Sequence, residues 1–424
     1  MSSMKVGVIG AGASGLCAIK YSLSFDCEVI AFERSDTLGG TWVYTDDVGK
    51  DKYGNDIHSS MYKNLRTNLP KEIMGYHDFP FPPSMKSYLP ASDVNDYLNH
   101  YVDTFHLRGY IKFRHHVLRV RPLPDNGTWE VIVLDHQMEK YETFLFDIVL
   151  VCNGHLNTPT IPHFEGRHVF RGHQMHSHDY RTPNRFSNKT VLTIGGGPSG
   201  VDITQDVAKQ ARKVFWSNHL SPRKDIMLDN LVQKSDVKRF TESGAEFSDG
   251  SHEYFDEILY CTGYRTTFPF LSVDCGLLCE NNYVRPLFKH CLNINQPSMA
   301  IIGLTSKAPT IPVFDLQVRF CLTFMTGRKV LPSKDEMLTD TKREMEENRD
   351  KGMKESTAHF LGSFQGRYYN DLASLAGIEP IKPVMLKIYQ ESHRTKEDDF
   401  MSYQDYNFTV VDDENFEVKL SRLQ

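Results

Sequence analysis

The chain reads as an α/β protein of two nested dinucleotide-binding (Rossmann-like) domains, the second inserted in the first. Three observations predict this. Two glycine loops, Gly10-x-Gly12-x-x-Gly15 and Gly195-x-Gly197-x-x-Gly200, each follow an apolar strand-like run and open a helix-like one. A closing string recurs: the nine residues from Phe146 to Gly154 align without gaps to those from Phe255 to Gly263, and five of the nine positions are identical. The loop-to-string distance is 136 residues in the first unit (Gly10 to Phe146) and 60 in the second (Gly195 to Phe255), so the first unit carries an insertion.

The elements follow in order. Residues 5–9 form a strand, 14–23 a helix and 27–32 a second strand ending at Glu33. The second unit repeats this with 189–194, 199–211 and 213–216, ending at Ser217. Parallel strands linked by a helix bury both sheet faces, which accounts for the near-continuous apolar runs. The insertion holds an aromatic- and proline-rich segment from Trp42 to Pro83, and strand-like stretches 111–120 and 128–134 joined by the turn signal Asn126-Gly127. Later come a strand over 299–304 entering Gly303, a Lys/Glu-rich helix over 333–351 with a solvated face, and a charged surface tail over 392–400. The domain limits expected are 1–183 for the first part of the first domain, 184–272 for the inserted domain, and 273–424 for the remainder with C-terminal helices.

Composition bounds the function. At 424 residues, 40% hydrophobic and 24% charged, the chain is long enough for two or three domains around a large core. A net charge of -6 gives no general attraction to nucleic acid or anionic lipid. No run approaches the roughly 18–20 apolar residues that a membrane-spanning helix needs. The first strand starts near Met4 with no signal peptide ahead of it, so a cytoplasmic protein is expected. Secretion after leader cleavage stays open, and the sequons at Asn126, Asn188 and Asn407 do not decide it. The eight cysteines, Cys17, Cys152 and Cys261 among them, form no CxxC, and Cys275 with Cys279 has no metal spacing, so buried reduced thiols are expected. His163, His168, His173, His176 and His178 crowd one stretch without a zinc spacing, and no metal is expected.

A helix N-terminus offers free N–H groups and a positive dipole end to a pyrophosphate, and the glycines allow close approach. The end of the second strand distinguishes the two loops. Glu33, 23 residues past Gly10, is placed to accept both hydroxyls of an adenosine ribose and to repel a 2′-phosphate. In the second unit Ser217, 22 residues past Gly195, stands in the matching place, followed by Arg223 and Lys224. Hydroxyl and cations suit a 2′-phosphate, which favours NADPH over NADH there. The alternative is that Arg223 and Lys224 are ordinary surface charges.

Ahead of the second loop runs the string Phe170-x-Gly172-x-x-x-His176-x-x-x-Tyr180. With this string, the two loops and Cys261-Thr262-Gly263-Tyr264, the chain resembles the flavin-containing monooxygenases over essentially its whole length. Related Baeyer–Villiger enzymes end the string in Trp, and Tyr180 favours heteroatom oxygenation over ketone oxidation. The stretch Leu65-Arg66-Thr67-Asn68-Leu69-Pro70, running on to His77–Pro82, is similar to the family's segment beside the flavin ring. Asn68 matches the asparagine that the family uses near the flavin C4a and the nicotinamide; read alone, it is a turn residue before Leu-Pro.

The resemblance implies FAD in the first domain and NADPH in the second. O2 adds to the reduced flavin, and the distal oxygen of a C4a-hydroperoxyflavin passes to a soft nucleophile such as a tertiary amine nitrogen or a sulfide. The protein supplies placement and exclusion of water, so no acid–base triad is required. Asn68 is the candidate catalytic residue. Gly10, Gly12, Gly15 and Glu33 would hold the FAD adenosine diphosphate, with Gly40 and Trp42 nearer the flavin end and Gln317 near the flavin. Gly195, Gly197, Gly200, Ser217 and Arg223 would hold NADPH. Ala13, Ser14, Arg34, Thr67, Val117, Asn153, Gly154, Ser199, Thr262, Gly263 and Tyr264 complete the cofactor-binding set. The chain resembles the shorter members from insects and fungi, among them the insect pyrrolizidine-alkaloid N-oxygenases, and a dimer is common in look-alikes. The rival readings are a Baeyer–Villiger oxygenase, an NADPH oxidase, a disulfide reductase (which would need a redox cysteine pair), and a sensor that does not turn over.

Overall fold

The structure, a computed structural model, describes residues 3–124, 127–220 and 228–421. Two parallel sheets organise it. The larger has a parallel core in the spatial order Met299–Ile301, Ile148–Val151, Lys5–Ile9, Glu28–Glu33, Ile111–Phe113, extended by the short antiparallel strands Leu292–Asn293 and Leu287–Phe288. The second runs Leu231–Lys234, Lys213–Ser217, Thr190–Ile194, Glu257–Tyr260, His173–His176, all parallel. It lies in sequence wholly between strands of the first, which is the nesting expected. Its first strand begins at His173, so the expected limit at residue 184 falls between two of its strands.

Both faces of the larger sheet are covered. Helices Ala13–Ser24, Ala91–Thr104 and Thr310–Met325 bury Leu16, Val94, Leu98, Leu316 and Phe320 against Val6, Val8 and Leu150 on one face. On the other, the antiparallel sheet His115–Pro122, Trp129–Asp135, Lys140–Phe146 packs Val117, Trp129 and Val131 on Ile9, Phe32 and Ile301. The expected stretch 111–120 divides between Ile111–Phe113 of the larger sheet and His115–Pro122 of this one, the stretch 128–134 is Trp129–Asp135, and Lys140–Phe146 is added; Asn126 of the turn signal lies outside the described residues.

The recurring closing string has a mechanical cause. In each unit its aspartate binds the start of the first strand: the Lys5 N–H donates to Asp147 at 2.7 Å and the Thr190 N–H to Asp256 at 2.7 Å. Its cysteine N–H donates to the last residue of that strand, Cys152 to Ile9 at 2.9 Å and Cys261 to Ile194 at 2.8 Å. The shared aspartate and the shared backbone bond thus mark one register, used twice.

The C-terminal part departs from expectation. Helix Lys334–Asp350 is solvated as expected and starts with a capping box between Ser333 and Glu336. Residues 392–400 are not a plain surface tail. They end helix Pro383–Asp398, which buries Val384, Ile388, Ser392 and Thr395, and Phe400 beyond it is buried too. That three-to-four-residue spacing is an amphipathic stripe, masked in the sequence by the charges on its outer face. A hairpin, Tyr406–Val410 with Phe416–Leu420, follows and packs Phe408 beside Tyr88 and Tyr403. Among the described residues no helix is long and apolar enough to cross a membrane.

Candidate dinucleotide and oxygen-transfer site

Two of the three glycines in each loop are fixed by the protein itself. Gly10 has φ +104° and Gly195 φ +126°, and a Cβ on either would stand 2.5 Å from the Cys152 carbonyl oxygen or 2.2 Å from that of Cys261. A Cβ on Gly15 would lie 1.9 Å from the Gly10 oxygen, and one on Gly200 2.1 Å from the Gly195 oxygen. The middle glycines differ. A Cβ on Gly197 would meet nothing within 4 Å, and one on Gly12 only the Gly40 backbone, its Cα at 3.5 Å. Each caps the N-terminus of a helix, Gly12 that of Ala13–Ser24 and Gly197 that of Pro198–Ala208, with no side-chain cap to satisfy the first N–H groups. Free N–H groups beneath a residue without a side chain fit a pyrophosphate in both loops, and over Gly197 the space is open. Gly40, facing Gly12, begins the 3-10 turn Gly40–Trp42, with Trp42 half-buried against the core.

Glu33 closes the first groove. Its Oε2 accepts the Ala11 N–H at 3.0 Å, while its Oε1 accepts the Ser35 N–H and hydroxyl at 2.9 Å each. The carboxylate therefore sits at the loop, where an adenosine ribose would lie. Arg34 donates to the Asp56 carbonyl at 2.7 Å. Ala13 and Ser14 are buried in the first turn of the helix, and the Ser14 hydroxyl donates to the Cys152 carbonyl at 3.4 Å.

In the second unit the strand register shifts the expected assignment by one residue. The Gly10 N–H donates to the Phe32 carbonyl at 2.8 Å, and the Gly195 N–H to that of Ser217 at 2.9 Å. Ser217 is thus the counterpart of Phe32. Its side chain is buried, donating to the Ser235 carbonyl at 2.9 Å. Asn218 is the counterpart of Glu33. As Glu33 accepts the Ser35 N–H, Asn218 Oδ1 accepts the Leu220 N–H two residues on, at 2.8 Å, and it also accepts Gln233 Nε2 at 3.1 Å. Counting 23 residues from each first glycine finds this pair in the sequence. No carboxylate stands there, and Arg223 lies outside the described residues.

Where the closing strings end, Asn153 is half-buried, and Gly154 and Gly263 have φ +74° and +83°. His58 borders Gly154, and burial with the charges of Arg34 and His178 pulls its imidazole down to about 3. The Thr262 hydroxyl donates to the Thr160 carbonyl at 2.5 Å, and the Tyr264 ring meets His176 and His178 edge-on at 5.4 and 5.8 Å. Burial pushes the Cys152 and Cys261 thiols up to about 12, so both stay protonated and serve as packing. Ser199 is half-buried in the first turn of the second helix.

Asn68 stands on a strap without regular structure, pinned on both sides. The Thr67 N–H donates to the Leu89 carbonyl at 2.7 Å, and the Leu89 N–H donates to the Thr67 hydroxyl at 3.0 Å. Arg66 donates to the Gln404 carbonyl at 2.6 Å and lies 3.3 Å from Asp405, while Gln404 Nε2 donates to the Thr67 carbonyl at 3.1 Å. Asn68 itself is exposed, and its amide makes no hydrogen bond among the described residues. Gln317 is the opposite case. It is fully buried, with Oε1 accepting the Gly303 N–H at 2.9 Å and Nε2 donating to the Tyr368 hydroxyl at 2.7 Å, so it fixes the Gly303 turn. Val117 is a core residue of the covering sheet. The contacts of Gln404 and Asp405 had no visible signal, because polar pairing across the chain leaves no periodic mark.

The family model described as FMO-like, flavin-binding monooxygenase-like, matches residues 3–223 and 220–412. The chain belongs to this family. It is 33% identical over 424 residues to the senecionine N-oxygenase of Tyria jacobaeae, a match covering 99% of this chain and 92% of that protein. Flavin-containing monooxygenase FMO GS-OX4 of Arabidopsis thaliana is 34% identical over 405 residues, covering 90% of this chain and 86% of that one. Among solved structures, the S-allyl-L-cysteine S-oxygenase from Allium sativum superposes with a TM-score of 0.89 at 32% identity, covering 95% of each chain. Cyclohexanone monooxygenase shares the fold alone, with a TM-score of 0.65 at 14% identity, covering 89% of this chain and 98% of that one. The protein is a flavin-binding monooxygenase.

Proposed function

We propose that this enzyme oxygenates a soft nucleophilic nitrogen or sulfur, as in tertiary amines, alkaloids and sulfides, with Asn68 at the reacting centre. One observation carries the reading: Asn68 offers a free, uncharged amide while the residues just before it are held by the protein. An uncharged donor and acceptor carried beside a pinned backbone can orient a neutral ring and a polar oxygen together. When bound, the flavin supplies the activation of O2 and NADPH supplies the electrons.

The chain's own residues do the rest. The N-termini of helices Ala13–Ser24 and Pro198–Ala208 seat the two pyrophosphates, and Glu33 receives the FAD ribose hydroxyls. Asn218, with Ser217 behind it, leaves the second site free of a carboxylate that would repel a 2′-phosphate, and Arg223 is proposed to meet that phosphate. Asn153 and Gly154 follow one closing strand and Thr262, Gly263 and Tyr264 the other, and the two nucleotides are proposed to meet these residues. Similarity to an N-oxygenase and to an S-oxygenase supports this substrate class. The proposal includes a homodimer in the cytoplasm, where the eight unpaired cysteines remain thiols.

Asn68→Ala tests the reading. The variant is expected to retain FAD and the wild-type KM for NADPH, while oxygenated product per NADPH falls at least about tenfold and hydrogen peroxide rises to match, a loss of about 1.4 kcal/mol or more. Wild-type product yield from Asn68→Ala would remove Asn68 from the site.

A further inference from the structure

Asp206 lies near the C-terminal end of helix Pro198–Ala208, the helix whose other end forms the second phosphate seat. Its side chain is buried, and separate elements converge on it. The Tyr180 hydroxyl donates to Oδ2 at 2.7 Å, Asn64 Nδ2 donates to both oxygens at 3.2 Å, and Lys209 Nζ lies 3.6 Å from Oδ1. Asp202, one turn earlier, accepts the Tyr62 hydroxyl at 3.4 Å. The Tyr62 and Tyr180 rings meet edge to face at 5.5 Å, and the Lys63 N–H donates to the Arg181 carbonyl at 2.9 Å.

Asn64 stands four residues before Asn68 on the same irregular strap. A segment without helix or sheet bonds is placed by whatever its side chains and termini grip. Here one grip is the C-terminal Gln404 and Asp405, and the other is the nucleotide helix through Asp206. From Gly197 to Asp206 is nine residues, roughly 13 Å of rigid helix. A buried carboxylate is costly to keep for packing alone, and this one is filled by donors from two other elements.

We propose that Asp206 is a positioning residue that couples occupancy of the second dinucleotide loop to the placement of the Asn68 strap, with Tyr180 and Asn64 as its two hydrogen-bond arms. The inference rests on the role of Asn68 proposed above. It also gives the terminal tyrosine of the Phe170–Tyr180 string a definite part, since its hydroxyl orients the carboxylate that holds the strap. Phosphates seated at Gly197 fix the helix, and the helix fixes Asn64.

Asp206→Asn and Tyr180→Phe test this on the full-length, FAD-loaded enzyme. The phenylalanine keeps the ring packing on Tyr62 and Phe186 and deletes only the hydroxyl, so it remains informative if the asparagine variant folds poorly. Three quantities are read: the Kd for NADP+ by calorimetry, hydrogen peroxide released per NADPH, and amide exchange over residues 62–68 with and without NADP+. Both variants are expected to bind NADP+ within about twofold of wild type and to release about tenfold more peroxide, a change of about 1.4 kcal/mol. NADP+ is expected to slow exchange over 62–68 in the wild type and not in the variants. Wild-type peroxide release with full NADP+-dependent protection in both variants would overturn the proposal. Wild-type product yield from Asn68→Ala, with NADP+-dependent protection of residues 62–68 intact, would count against Asn68 alone, since the exchange measurement reads the helix-to-strap link independently.

Discussion

The middle glycine of the second loop offers a sharp prediction, because structure and ligand make opposite demands on it. At Gly197 the backbone has φ -76° and ψ 179°, which any residue adopts, and an added Cβ meets no atom within 4 Å. Gly197→Ala should therefore leave folding intact or raise stability by about 0.4–1 kcal/mol, through the reduced entropy of the unfolded chain. The methyl would occupy the space over the free N–H groups. Holding a pyrophosphate off by even one charge-assisted hydrogen bond removes about 1.5–3 kcal/mol, which raises the KM for NADPH roughly 10- to 150-fold. Gly200→Ala is the control. Its Cβ would stand 2.1 Å from the Gly195 oxygen, so the loop must open, at about 1–3 kcal/mol or more of stability. Thermal melts and NADPH kinetics on the two variants decide the matter. A Gly197→Ala enzyme with the wild-type KM would refute the placement of the pyrophosphate, and one that melts early would refute the reading of the open space.

Three further outcomes are expected. Glu33→Ala frees the Ala11 N–H and removes a ribose acceptor, so FAD should be lost on desalting, an effect of about 1–3 kcal/mol; full retention of flavin would contradict this role. Arg181 is buried and donates to the carbonyls of Asp47, Ser59, His178 and Tyr180. Arg181→Met should cost about 2–4 kcal/mol and speed amide exchange in residues 44–62, whereas an unchanged melt would show that those carbonyls find other donors. Burial and the neighbouring His178 pull the His176 imidazole down to about 4, so the folded state keeps it neutral while the unfolded chain takes up a proton near pH 6.5. Stability from this group is present above pH 6.5 and lost as pH falls toward 4, by about 3 kcal/mol. His176→Asn, which can keep the acceptor for the His178 N–H, should flatten the acid limb of urea stability between pH 7 and 4.5; an unchanged slope would clear His176 of the titration.

Much of the fold was legible because its signals are local. Gly10, Gly15, Gly195 and Gly200 are required by contacts within a few residues or with the closing strand, and such demands leave glycines at fixed spacing. The repeated Phe-Asp and Cys-x-Gly of the closing strings mark one register that both sheets share. Ser217 shows how a small counting difference matters: one residue separates the counterpart of Phe32 from Asn218, the counterpart of Glu33. The grip on Asn68 was not legible. Arg66 meets Asp405, and Asn64 meets Asp206, across long stretches of chain, and a hydrogen bond between distant polar groups imposes no period on either. The hairpin Tyr406–Val410 with Phe416–Leu420 alternates Tyr406, Phe408, Val410 and Phe416, Val418, Leu420, a strand signal diluted by the charged residues around it.

Oxygen transfer itself is decided by turnover under 18O2 with NADPH and a simple tertiary amine or thioether. Product is expected to accumulate close to one per NADPH consumed and to carry a single 18O atom, with little hydrogen peroxide. Complete conversion of NADPH and O2 to peroxide, with every amine and sulfide recovered unchanged, would contradict the monooxygenase chemistry assigned to this chain.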